Sequence, residues 1–406
     1  MARAGTPHWI GVYLALVQLL FTLGWTAYAF YLPRLAAQVG LPASAVAIIL
    51  ILDQLIFTVC DFATGIAADK VSRALGRIGY LVVLATIISC AAFLAMPYVA
   101  AGGASTQGVF LAVTLVWAIT SSALRAPPIM LLGKYAARPA IPYLSSLVMV
   151  GYGLAGAAAP YLGLLLRDQD PRLPFAISSA MLVLTTIGLV SVERALARRS
   201  QQAPAEAAPA PPAGSMAWMT AIFGLAILTL ALGYQMHFSI NSPQLFLRFV
   251  ERSDLERLTP IFWVGFNVAM FPASLLTKRW GGLTVMGIAG LIGAAAVLAA
   301  DLAQQLGFLL VAQLAAGASW GCILMSAFTA AFAIGQDGAQ GKMTGLLFSA
   351  LALATAARLA AVAGGLQADA TFAAATQWIP TLCWAGTGVM LLYYSVAFTR
   401  RRLAAT

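Results

Sequence analysis

Long apolar runs alternate with short polar breaks along the whole chain, and twelve runs approach the length of a bilayer crossing. They are Trp9 to Leu32, Ser44 to Ala67, Ile78 to Met96, Gly108 to Leu132, Ile141 to Leu166 and Pro174 to Val192 in the first half. The second half gives Met216 to Ile240, Pro260 to Thr277, Leu283 to Ala300, Gly307 to Ile334, Met343 to Gln367 and Gln377 to Phe398. A hydrocarbon core about 30 Å thick takes roughly 20 helical residues, and lipid offers no partner to an unpaired backbone amide. The pattern therefore predicts an all-α polytopic membrane protein with twelve transmembrane helices. The first run has no small-residue cleavage site, so a retained helix is expected rather than a signal peptide.

One break differs from the rest. "ERALARRSQQAPAEAAPAPPAGS", Glu193 to Ser215, combines Ala, Pro, Gln and charge and is expected to be a loose tether. It separates a six-helix lobe at 1–192 from a second at 216–406. Two equal halves of the same orientation are what a parallel repeat of transporter lobes gives, with solute handled between them.

Composition agrees: 61% of the 406 residues are hydrophobic and 9% charged, against about 25% charged in an ordinary soluble domain. The net charge of +10 raises the question of a nucleic-acid partner. Its distribution answers with topology instead. With the N-terminus cytoplasmic, the inner loops hold Arg3, Lys70, Arg73, Arg77, Lys134, Arg138, Arg194, Arg198, Arg199, Lys278, Arg279, Lys342 and Arg400 to Arg402, whereas the outer loops hold Arg34, Arg167, Arg172, Arg248, Arg252 and Arg257. That is the positive-inside bias, so the lipid bilayer is the partner, nucleic acid is not, and both termini are cytoplasmic. Arg- and Ala-rich, Lys-poor usage points to a bacterial inner membrane.

Cys60, Cys90, Cys322 and Cys383 fall inside crossings with no metal or disulfide spacing. A Gly-rich phosphate loop and a His-Glu-x-x-His pattern are missing, and two histidines, His8 and His237, give no resolvable Ser-His-Asp set. No enzyme, cofactor or metal centre is expected, and the chain is expected to act as a monomer.

The segment "GIAADKVSR", Gly65 to Arg73, follows the second run, and "SLLTKRWG", Ser274 to Gly281, stands at the matching place in the second half. Here the chain resembles the major facilitator superfamily, whose loop signature Gly-x-x-x-Asp-Arg/Lys-x-Gly-Arg is met by Gly65, Asp69, Lys70 and Arg73, with Ser72 where Gly is usual. Physically, Gly65 permits close helix approach and Asp69 suits a helix N-terminus or a basic partner. The same residues also read as a basic loop that fixes topology. In the second copy Lys278 replaces the acid. The fifth run carries "GYGLAGAAAPYLG", Gly151 to Gly163, similar to the Gly-Pro motif of proton-linked antiporters, although Ala159 and Leu164 replace two of its glycines. Close helix packing accounts for those small residues equally well.

Four charges lie inside runs: Asp53, Asp61, Arg125 and Arg358. Each costs at least about 2.5 kcal/mol at the centre of an isolated spanning helix, so partners or water are expected. At 1.5 Å per residue, Asp61 and Arg125 both fall roughly 25 Å below the outer surface. "DFATG", Asp61 to Gly65, and "RAPPIMLLGKY", Arg125 to Tyr135, resemble segments of the glycoside-pentoside-hexuronide cation symporters that bring acids to a sodium or proton site. Arg125 stands where that family offers Asp or Asn, which argues against sodium and for an Asp61–Arg125 ion pair, either structural or coupling. Asp53 and Arg358 fall at one shallower depth, roughly 14 Å down. The resemblance implies that helices two and eleven meet across the lobe boundary, so Asp53 and Arg358 are expected to form a contact that breaks during transport.

The resemblance further implies that helices one, four, seven and ten face the cavity. On them Gln18, Thr22 and Trp25, Trp117 and Ser121, Tyr234, His237 and Asn241, and Gln313 and Trp320 are the candidate substrate contacts. Aromatics beside hydrogen-bonding groups suit an amphipathic organic solute, though aromatics near helix ends also serve as interface anchors. His237 is either a proton site or a solvated side chain near the outer surface. The resulting expectation is a secondary transporter of a small organic solute, anionic or zwitterionic, working by alternating access and coupled to protons. A drug/proton exporter and a lipid transporter stand as alternatives.

Overall fold

The computed structural model describes residues 8–75, 77–202, 215–336 and 338–403. Among them are twelve helices long and apolar enough to cross a membrane. They are α1 (His8–Gln38), α2 (Ala43–Leu75), α3 (Gly79–Ala100), α4 (Gly103–Tyr135), α5 (Ile141–Leu166), α6 (Arg172–Arg198), α7 (Ala217–Phe246), α8 (Arg252–Trp280), α9 (Gly282–Asp301), α10 (Leu306–Ile334), α11 (Gln340–Ala363) and α12 (Ala374–Val396). Gly281, at φ +82°, makes the sharp reversal between α8 and α9 that a side chain would resist.

In α4 and α7 proline interrupts regular helical hydrogen bonding. In α4 the helix Gln107–Ser121 tightens into a 3-10 turn at Ser122–Leu124 and resumes at Ala126–Tyr135. Pro127 and Pro128 cause this, because each lacks an N–H and crowds the carbonyl four residues back. In α7 a π turn at His237–Asn241 precedes Ser242–Phe246. Pro243 is the cause there, since it cannot donate to the Ser239 carbonyl.

The helix closing the first half runs through Leu189–Gln202, which corrects the expectation of a loose tether from Glu193. Glu193 is buried and accepts the backbone N–H groups of Ile78 at 2.9 Å and Gly79 at 2.7 Å. A carboxylate there satisfies orphan donors and the positive end of α3. Residues 203–214 of the expected tether, and Arg3 of the inner basic set, lie outside the described residues.

The helix pairings of the first half recur in the second. The pairs α1 with α5, α2 with α4, α3 with α4, α3 with α6 and α1 with α6 have counterparts in α7 with α11, α8 with α10, α9 with α10, α9 with α12 and α7 with α12. The halves meet along two seams that are also counterparts, α2 on α11 and α5 on α8. Both are lined with glycine because backbone touches backbone or a flat ring. A Cβ on Gly65 would strike the Gly341 carbonyl, one on Gly345 the Asp61 carbonyl, and one on Gly156 the Trp263 indole. Gly153 likewise lies against Phe266 and Asn267. The small-residue stripe of the fifth run is thus a packing surface.

Candidate functional site

The bend that the two prolines impose on α4 leaves Arg125 at the break, where it meets Asp61 of α2. Arg125 Nη1 lies 3.1 Å from Asp61 Oδ2, with the carboxylate fully buried. The guanidinium is held between two rings, 4.7 Å from the Phe57 centroid and 5.2 Å from that of Phe348 on α11. Asp61 and Arg125 therefore pair as the depth argument expects, and aromatic faces shield the pair on both sides of the seam.

Asp53 and Arg358 do not pair. The Tyr28 hydroxyl of α1 donates to Asp53 Oδ2 at 2.6 Å, both groups being buried. Arg358 Nε instead donates to Gln235 Oε1 of α7 at 2.9 Å. Equal depth and the meeting of helices two and eleven are the basis for the expected contact; the helices do meet, but neither fixes the direction in which each side chain leaves its helix. Arg358 is half-buried, and its two terminal nitrogens have no protein partner among the described residues.

Around Arg358 the two halves bring together a group of rings. Tyr152 of α5 and Tyr234 of α7 both pack edge-on against Trp263 of α8, at 5.5 and 6.3 Å, which joins the two halves through their rings. Tyr152 also lies 6.0 Å from Phe266. Tyr234 stacks on Trp320 at 4.5 Å with rings nearly parallel, and on Phe238 at 5.6 Å.

At the C-terminal end of α2, Asp69 caps α11. Its carboxylate oxygens accept the backbone N–H groups of Gly341 at 2.8 Å and Lys342 at 2.7 Å. Gly65 permits that approach. Ser72, where the loop signature has glycine, accepts a hydrogen bond from Lys134. Lys70 and Arg73 are exposed.

The expected substrate stripe divides. Trp117 packs inside the first half, 4.2 Å from Tyr28 and 5.6 Å from Phe93, and Ser121 donates to the Ala118 carbonyl of its own helix. Trp25 lines a small apolar gap with Trp117, Phe93 and Ser178 rather than the boundary. Membership of the fourth helix does not fix the face a residue presents. Gln18 donates to Thr22 along α1. His237 is fully buried and its Nε2 lies 3.1 Å from Gln313 Oε1, which corrects the expectation of a solvated end. The apolar run reads as ending at Ile240, but α7 continues to Phe246 and carries His237 inward. Asn241 donates to the Thr376 carbonyl.

Sequence reasoning missed Tyr28, Gln235 and Tyr152. Tyr28 continues the Gln18, Thr22, Trp25 stripe by one helical step, so that stripe stopped short. Gln235 is a lone amide in an apolar run and adjoins Tyr234.

The family profile described as Major Facilitator Superfamily matches residues 14–357. No curated protein matches the chain in sequence. Among solved structures, the human organic anion transporter MFSD10 (TETRAN) superposes with a TM-score of 0.71 at 17% identity, covering 96% of this chain and 100% of that one. A bacterial homologue of the iron transporter ferroportin, in an outward-facing state, gives 0.70 at 15% identity with 95% and 99% covered. The Escherichia coli fucose:proton symporter FucP gives 0.63 at 15% identity with 95% and 98% covered.

Proposed function

Because the chain belongs to the major facilitator superfamily, whose members move solutes across membranes, we propose that it is a proton-coupled secondary transporter of a small organic anion. The observation that carries this reading is Arg358: a half-buried guanidinium tied to Gln235 next to the ring group, its terminal nitrogens unclaimed by protein among the described residues. A cation so placed needs a counter-charge, and none of the described acids supplies one. Asp61 is bound to Arg125, Asp69 caps α11, and Asp53 is held by Tyr28. The aromatic group beside it supplies surface for an apolar body. The similarity to an organic anion transporter favours the same class.

Asp53 is the proposed proton carrier. It is a buried carboxylate without a cation, on a helix that lines the seam between the halves. In alternating access the lobes 1–192 and 216–406 rock about the bound anion, in a bacterial inner membrane with both termini cytoplasmic. The positive-inside charge distribution supports that orientation.

The test uses purified protein in proteoliposomes with radiolabelled benzoate and an imposed pH gradient. Saturable benzoate accumulation driven by the gradient is expected. Arg358→Gln should reduce it at least tenfold, and Asp53→Asn should retain benzoate exchange while losing the response to the gradient. Saturable transport of neutral or cationic solutes, with no anion carried, would overturn the reading.

A further inference from the structure

We infer that Gln235 is a positioning residue that makes the site selective for monoanions docked end-on against Arg358; the inference rests on the organic-anion reading above. A guanidinium receives a carboxylate in two ways, side-on through Nε and one terminal nitrogen or end-on through both terminal nitrogens. Here Nε is taken. It donates to Gln235 Oε1 at 2.9 Å, so the side-on edge is closed and the terminal edge is the one presented.

The amide itself is held in that orientation from its other end. Gln235 Nε2 donates to Thr355 Oγ1 at 2.9 Å, and Thr355 in turn donates to the Leu351 carbonyl at 2.9 Å. Ser239, one turn along α7, adds a longer bond to Gln235 Oε1 at 3.4 Å. Flipping the amide would set its NH2 against Nε–H and its oxygen against a hydroxyl already committed to Leu351. The guanidinium is therefore fixed before any solute arrives, which is how a supporting residue sharpens a binding group.

Charge sets the valence. Gln235 is neutral, so it orients Arg358 without cancelling it, whereas Arg125 is cancelled by Asp61 at 3.1 Å. One uncompensated positive charge, held by Gln235 next to the stacked rings of Tyr234 and Trp320, matches one anionic group on a flat apolar body. A second carboxylate on the solute would enter the same aromatic-lined region with no further unpaired cation among the described residues to meet it, and unpaired charge there is costly.

The test compares benzoate, phthalate and benzyl alcohol as competitors and substrates in proteoliposomes of the wild type, Gln235→Met and Gln235→Glu. Benzoate should be preferred over phthalate by the wild type. Gln235→Met, which keeps the length but not the acceptor, should raise the KM for benzoate about tenfold with the maximal rate within twofold, and should narrow the preference over phthalate. Gln235→Glu, which cancels Arg358 in place, should abolish saturable benzoate transport. Thr355→Val, which only frees the amide, should raise KM by a smaller factor. An unchanged KM in Gln235→Met, or equal preference for benzoate and phthalate in the wild type, overturns this inference while leaving anion transport standing. Failure of the wild type to carry any carboxylate overturns both.

Discussion

At the residue scale the buried charges have separate environments, and the difference has measurable consequences. Asp61 and Arg125 are an ion pair closed in by Phe57 and Phe348. Removing one partner strands the other, at a cost of about 3–5 kcal/mol, whereas removing both is close to neutral. Arg125→Gln should therefore lower the melting temperature in detergent strongly, and Asp61→Asn with Arg125→Gln should recover most of the loss. If the double variant is as unstable as the single one, the pair is held by something other than mutual charge. This pairing was legible in the sequence because depth alone nearly determines it: both residues sit on helices running the same way within one half. The Asp53–Arg358 contact was not, because two residues on different lobes at one depth are still free in azimuth. Tyr28 and Gln235 took the two partners instead.

The same distinction governs whole elements. The twelve crossings were readable because lipid leaves the backbone no alternative to helix, and the run lengths gave their number. Their ends were less readable: α7 extends past Ile240 through a π turn, and the last segment of α6 runs on to Gln202. In each case side-chain and backbone hydrogen bonds sustain a polar stretch that hydropathy alone reads as loop. The seams were half-visible. A stripe of small residues announces close approach but does not name its partner. The fifth-run glycines meet Phe266, Asn267 and Trp263 of α8, and Gly345 meets Asp61 of α2. Gly345→Val should therefore wedge α2 from α11. Solute exchange is expected to fall at least tenfold, while Gly307→Val, where an added Cβ meets open space, should be silent; equal activity in both variants would deny that the seam must close.

For the whole molecule, the repeated pairings of helices 1–6 and 7–12 make the α2–α11 and α5–α8 seams the places where one half can move against the other. Asp69 bridges that division through Gly341 and Lys342. Asp69→Asn weakens two charge-assisted bonds and the cap on α11, worth about 0.5–2 kcal/mol. Spin labels at Lys70 and Lys278, both exposed near the C-terminal ends of α2 and α8, should then show a larger share of long distances. An unchanged distance distribution would mean that this carboxylate does not hold these helix ends together.

The glycine-to-carbonyl contacts at Gly65, Gly341 and Gly345 have a mechanical implication. At those three contacts bare backbone offers no interlocking teeth, so the helices can part or slide there without a side chain changing rotamer. Such a joint behaves as a smooth bearing, with little friction of its own. The carboxylate of Asp69 is then a latch across it, and the rate of opening should follow that latch more than the area of the joint.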